Sequence, residues 1–226
     1  MYLYLYINLA ILLGPLVISF ERRRINYYSK IRSVALSVLC VGMVFVAWDA
    51  LATSRGHWSF NPLYLVGPKL LGLPFEEILF FITVPFSCLF TYEALAYYLK
   101  EARPMHVGKL PLIVGLALAL LSLVFVNREY TFLAMLSVGI SIIVANRLVR
   151  DLFSSRLYWL YIALTFAFFF IFNYLLTSLP IVEYSDPAIT GVRFTTIPVE
   201  DFMFNFSMLT LYLAVHLSAS RKQNVV

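Results

Sequence analysis

The chain has 226 residues, of which 62% are hydrophobic, 17% aromatic and only 13% charged. That much apolar surface cannot be enclosed in a soluble core of this size, which excludes an ordinary globular domain and leaves a membrane protein. The formal charge of +5 does not point to nucleic acid, because Lys and Arg fall in short clusters between apolar spans, as membrane topology requires.

Apolar segments near the roughly 20 residues that a spanning helix needs occur at 2–20, 33–52, 75–99, 110–126, 131–149, 157–179 and 199–218. They predict an all-α integral membrane protein with seven transmembrane helices, the fourth and fifth being short. The first span begins without a charged leader or a small-residue cleavage site, so no removed signal peptide is expected. With the N-terminus outside, the cytoplasmic face holds Arg22, Arg23, Arg24, Lys30, Arg32, Lys100, Arg103, Lys109, Arg147, Arg150, Arg156, Arg221 and Lys222. Only Arg55, Lys69, Arg128 and Arg193 of the 17 basic residues remain outside. The positive-inside rule then predicts a multi-pass protein of the cell membrane, N-terminus outside and C-terminus cytoplasmic. Two long outer loops, 53–74 and 180–198, are expected to be structured lids or partly re-entrant segments.

Pro74-Phe75-Glu76-Glu77-Ile78-Leu79-Phe80 opens the third span, and Pro198-Val199-Glu200-Asp201-Phe202-Met203-Phe204 opens the seventh, 124 positions later. The same shift carries Asp49 onto Asn173, Gly67 onto Gly191, Arg23 onto Arg147 and Arg32 onto Arg156. This register predicts a duplicated unit: helices one to three in residues 1–99, a linker helix with its flanking loops in 100–130, and helices five to seven in 131–226. An odd linker helix gives both triplets the same orientation, hence a 3+1+3 parallel internal repeat whose axis runs along the membrane normal.

Acids beside hydrocarbon are expensive and usually functional. A single Pro-x-acid-acid stretch is adequately explained as helix-start chemistry, proline early and acids on the positive end of the dipole. The duplication shifts the balance, because Asp49 and Asn173 each stand 27 positions before Glu76 and Glu200, at the same depth on the preceding helix. Asp49, Glu76, Glu77, Glu200 and Asp201 are therefore the candidate catalytic residues. Phe80 and Phe204 lie one helical turn below Glu76 and Glu200, and with Phe81, Trp48 and Asn173 they form the candidate substrate-binding set. Aromatic faces attract cations, and apolar walls disfavour ionisation, so one member of an acid pair can hold a proton while the other is charged.

Other residues carry less. His57, His106 and His216 have no ligand spacing, so no metal is expected. Cys40 and Cys88 read as small buried hydrophobes without a disulfide. Glu93 is expected to snorkel towards the cytoplasm, and Pro85 to kink the third helix. With no glycine-rich nucleotide fingerprint, no cofactor is expected.

The doubled motif, Pro74-x-Glu76-Glu77 with Pro198-x-Glu200-Asp201 on paired three-helix units, resembles the membrane-integral lycopene cyclases, which are two small subunits in some bacteria and one fused chain in archaea and fungi. The resemblance covers nearly the whole chain and is closest to the fused archaeal form. It implies lycopene β-cyclase activity: acid-initiated closure of the acyclic ends of lycopene into β-ionone rings, giving γ- and β-carotene without net redox change. It makes Glu76, Glu77, Glu200 and Asp201 the motif acids, and lycopene or a related acyclic carotenoid, the lipid bilayer and other carotenoid-pathway enzymes the partners. Asp49 facing Asn173 implies that the halves differ, the first being the more acidic. A small 3+1+3 repeat transporter is the alternative, weakened by the concentration of acids on one side and the apolar inner halves of most helices. A retinal protein would need a lysine in the seventh span, and Glu200 to His216 contains none; a prenyltransferase would need an Asp-x-x-x-Asp spacing, which is absent.

Overall fold

A computed structural model describes residues 2–21, 23–99 and 104–223. Arg22, Lys100 and Arg103, which the charge argument uses, lie outside them, as does the side chain of Lys222. The described chain forms seven α-helices: α1 (Leu3–Ser19), α2 (Ile31–Ser54), α3 (Phe75–Tyr98), α4 (Leu110–Leu121), α5 (Glu129–Leu148), α6 (Arg156–Ser178) and α7 (Val199–Gln223). Five of them are long and apolar enough to cross a membrane, and the two shorter ones are α1 and α4. The fifth, expected to be short, extends to 20 residues because Glu129 and Tyr130 join its first turn.

Three two-stranded sheets sit at the end of the bundle where α3 and α7 begin. They are formed by β1 (Trp58–Phe60) with β4 (Val182–Tyr184), β2 (Lys69–Leu70) with β3 (Leu73–Pro74), and β5 (Arg193–Phe194) with β6 (Ile197–Pro198). The two small hairpins lead directly into α3 and α7. Each turns at a left-handed residue that is not glycine, Leu71 (φ 54°) and Thr195 (φ 58°). The β1–β4 pair joins the two long loops antiparallel, with Trp58 opposite Tyr184 and Phe60 opposite Val182. Asn61 N–H to Ile181 O and Ser185 N–H to His57 O, both 2.9 Å, extend the ladder at its two ends. The expected structured outer loops are thus one shared cap.

The helices pack α1 on α3, α5 on α7, α2 on α7, α6 on α3 and α4 on α5. Leucines, valines and other large apolar side chains face outward from α1, α2 and α4, while many polar groups lie inside, an arrangement suited to lipid surroundings. Buried polar side chains tie the helices where the backbone needs partners. α3 runs unbroken through Pro85, which removes the N–H that would have served the Phe81 carbonyl. Tyr212 Oη of α7 donates to that carbonyl instead, at 3.0 Å. Pro15 in α1 frees the Ile11 carbonyl in the same way, and Ser87 Oγ of α3 donates to it at 2.9 Å. Glu93 does not snorkel: it is buried, paired with Lys30 and with His216 Nε2 at 2.8 Å, since an acid held inside the bundle is better matched by a neighbouring cation and a ring nitrogen than by stretching to solvent.

α4 and α5 touch through glycines. A Cβ on Gly139 would lie 2.5 Å from Gly115 O and 2.9 Å from Ala119 Cβ, so the contact depends on the missing side chain. Gly139→Ala should therefore push α4 away from α5 and cost about 1–3 kcal/mol, the usual scale of overpacking, read as a lower unfolding temperature of the purified protein in detergent.

Candidate active site

The two adjacent acids of each motif point different ways, because consecutive positions on a helix differ by about 100°. The first of each pair faces the cap. Glu76 Oε1 accepts the Val66 N–H at 2.5 Å, and Glu200 Oε1 accepts the Thr190 N–H at 2.7 Å, Thr190 Oγ1 at 2.8 Å and Thr131 Oγ1 at 2.6 Å. Val66 and Thr190 each precede their acid by ten residues, so each glutamate fastens the loop that leads into its own helix. Both side chains are fully buried, each with Oε2 unpartnered among the described residues.

The second acid of each pair faces inward. Glu77, Asp201 and Asp49 converge on one cavity of about 580 Å³ between α1, α3, α6 and α7. Its walls are largely apolar, with Phe80, Phe81, Phe172 and Phe204 near the acids and Ile11, Pro15, Val84 and Met208 deeper. Glu76 and Glu200 are not among its lining residues, and neither is Trp48, which packs on Phe45 and Phe204 with ring centroids 5.6 and 4.9 Å away.

Each inward acid is gripped by donors. Tyr4 Oη of α1 donates to Glu77 Oε2 at 2.5 Å, and Tyr130 Oη of α5 donates to Asp201 Oδ1 at 2.6 Å. Asp201 Oδ2 takes two more, from Asn173 Nδ2 at 2.9 Å and from Tyr184 Oη at 2.6 Å. Asp49 Oδ1 receives Trp58 Nε1 at 2.7 Å and a longer contact from Thr53 Oγ1 at 3.4 Å. Its Oδ2 is buried and takes no hydrogen bond from an amide, hydroxyl or indole among the described residues. Asp49 and Glu77 lie close enough for their carboxyls to interact directly, and Asp201 is within electrostatic reach of Glu77. The cap phenol Tyr184 is pushed well above its ordinary pKa, first by burial and then by the charge of Asp201 beside it, so it remains a donor.

Of the residues singled out from the sequence, the cavity thus collects Asp49, Glu77, Asp201, Phe80, Phe81, Phe204 and Asn173. Tyr4, Tyr130, Trp58, Tyr184 and Asn205, which also line it, were not anticipated. A signal existed for one pair: Tyr4 and Tyr130 are related by 126 positions, two more than the register that aligns the motifs. No group of three His, Cys, Asp or Glu side chains among the described residues is arranged to hold a metal ion.

Fold and site together define a helical membrane protein with an acid-lined apolar cavity under a β-cap. The chain belongs to the lycopene cyclase family, whose sequence profile, described as Lycopene cyclase, matches residues 1–95 and 127–218. A stretch is similar to proteins named bifunctional lycopene cyclase/phytoene synthase, 39% identical over 59 residues in Neurospora crassa and 36% over 59 in Pyrenophora tritici-repentis. Each match covers 26% of this chain but only 9% of the relative's length. No solved structure matches.

The latch geometry has a direct test in stability. Glu200→Ala would leave a buried N–H and two hydroxyls without their acceptor and should cost about 1–3 kcal/mol, with faster proteolysis in the 185–197 loop. Glu76→Ala, which strands one backbone donor, should cost less and expose the 61–73 loop.

Proposed function

We propose that the protein is a lycopene β-cyclase, closing the acyclic ends of lycopene into β-ionone rings by an isomerisation without net redox change. The observation that carries this reading is the convergence of Asp49, Glu77 and Asp201 on a single phenylalanine-walled cavity. Its volume lies within the roughly 300–1,000 Å³ of small-molecule sites, enough for the end of a long chain whose remainder stays among the helices or in lipid. Cyclisation needs a positioned acid, a dry apolar space, aromatic or anionic groups near a carbocation, and a base. The inward acids supply the proton chemistry, and Phe80, Phe81 and Phe204 present ring faces and edges below them. In this reading Glu76 and Glu200 act indirectly, by fastening the cap that keeps water out and carries Trp58 and Tyr184 to the acids.

The 3+1+3 parallel repeat belongs to the same proposal. Helix, 3-10 turn, helix, strand, 3-10 turn, hairpin and helix occur in that order from α1 to α3 and again from α5 to α7. The family profile matches in two stretches separated by 96–126, which contains α4, and β1 pairs with β4 about a local two-fold. These observations support units at 1–99 and 131–226 joined by 100–130, while the distribution of Lys and Arg supports the cell membrane with the N-terminus and the cap outside. Partners follow as lycopene or a similar acyclic carotenoid, the bilayer, and an enzyme that supplies the carotenoid; the fungal relatives carry both activities in their names.

Expression in a lycopene-accumulating host should convert the pigment to γ- and β-carotene, detected by chromatography; unchanged lycopene beside abundant, folded protein would reject the assignment. Glu77→Gln and Asp201→Asn should each reduce β-carotene yield by roughly 100-fold or more, as for loss of a general acid or base, at normal membrane abundance. Reporters inserted at 104–109 and 180–198 should fall on opposite sides of the membrane, and finding both on one side would refute the orientation.

A further inference from the structure

The two acid clusters differ in how many donors each carboxyl meets. Asp201 is surrounded by Tyr130, Asn173 and Tyr184, whose three hydrogen bonds occupy both carboxyl oxygens. An acid so surrounded suits the form that only accepts, a carboxylate with no proton to give. In the first half the amide is replaced by an acid: Asp49 stands where Asn173 stands in the second. Asp49 and Glu77 therefore face each other as two acids, and two like charges at contact cannot both be sustained in an apolar site. The same number of donors is spread over two carboxyls, Trp58 and Thr53 both landing on Asp49 Oδ1 and Tyr4 on Glu77 Oε2. Asp49 Oδ2 is buried and takes no hydrogen bond from an amide, hydroxyl or indole among the described residues, in a side chain that lines the cavity, is 2% exposed and lies against the Glu77 carboxyl.

Building on the cyclase reading, we propose that Asp49 and Glu77 share and deliver the proton that starts ring closure, and that Asp201 is the base that removes the proton ending it. The atoms balance. A carboxyl proton of the Asp49–Glu77 pair goes to the terminal double bond, whose π pair forms the new C–H bond and leaves a tertiary cation. The neighbouring double bond attacks, its π pair forming the ring C–C bond and moving the cation into the ring. Asp201 then takes a ring proton, and the electrons of that C–H bond become the ring double bond. One proton has been given and one received, so its return from Asp201 to the Asp49–Glu77 pair restores the starting state without oxidant or reductant. Asn173, Tyr130 and Tyr184 are positioning residues: they aim Asp201 and hold it as the acceptor.

Acid and base are separable because they fail differently. Lycopene-loaded membranes carrying Asp49→Asn, Glu77→Gln or Asp201→Asn are compared for lycopene consumed and for the structure of every product. The two acid variants should consume lycopene roughly 100-fold more slowly or worse, with no new products. Asp201→Asn should still consume it, but the cation must end otherwise, by loss of a proton from a different carbon or by capture of water, giving ring isomers or hydroxylated rings. Asp49→Glu should recover consumption, and a monodisperse detergent profile verifies folding. If Asp201→Asn does not fold, Asn173→Asp replaces it, since a second carboxyl beside Asp201 must share a proton with it and should produce the same altered products. Consumption at the wild-type rate by Asp49→Asn, or a complete block with no altered product in the second-half variant, overturns the assignment while leaving the cyclase reading intact. A wild-type chain inert on lycopene overturns both.

Discussion

Everything at the active end of this protein depends on the cost of placing carboxyls inside an apolar bundle. An ion of that kind loses several kcal/mol on leaving water unless it is paired or hydrogen-bonded, and five acids are buried together here. The chain meets that cost with its two long loops. Backbone N–H groups of Val66 and Thr190 reach Glu76 and Glu200, and the β1–β4 pair brings Trp58 to Asp49 and Tyr184 to Asp201. The strand pairing is therefore also the means by which each half's acid receives a donor from outside the helices. Without the cap, the N-terminal ends of α3 and α7 would open to water and the acids would lose the environment that distinguishes them.

The same accounting extends through the bundle. Prolines at 15 and 85 free carbonyls that no water can serve, and in each case a hydroxyl on the neighbouring helix arrives: Ser87 for Ile11, Tyr212 for Phe81. Asn8 shows the principle most fully. Its amide donates to the Glu76 carbonyl at 3.2 Å and its oxygen accepts Thr83 Oγ1 at 2.7 Å, which fixes α1 against the first turns of α3. Since α1 also supplies Tyr4, that contact sets where the donor to Glu77 stands.

Much of this was legible in the sequence, and the rest was hidden for definite reasons. The 124-residue register marked the motif acids, Asp49 with Asn173, and the loops as structured. It could not say which of two adjacent acids faces the cavity, because both fall in the first turn, where cap and cavity are each one side chain away. It missed Tyr4 and Tyr130 because the first helices are offset by two residues relative to the rest. Trp58 and Tyr184 were invisible for another reason: they meet through strand pairing across 126 residues, and three-residue strands in a loop leave no periodic signal. Glu93 was judged alone on its helix, whereas its partners are Lys30 and His216, the latter 123 positions away.

Trp48 shows how related positions take different tasks. It aligns with Phe172, and Phe45 with Phe169; the two residues on α6 line the cavity, while those on α2 do not. Phe45 and Trp48 close instead around Phe204, in an edge-to-face contact of 5.1 Å and a tilted one of 4.9 Å. Bulk on α2 fills the space whose counterpart on α6 is open. Glu77 of α3 and Asp201 of α7 open onto the same cavity together. That shared cavity sets an acid with an acid partner opposite an acid with an amide partner, the difference in surroundings on which the proposed division between proton donor and acceptor rests.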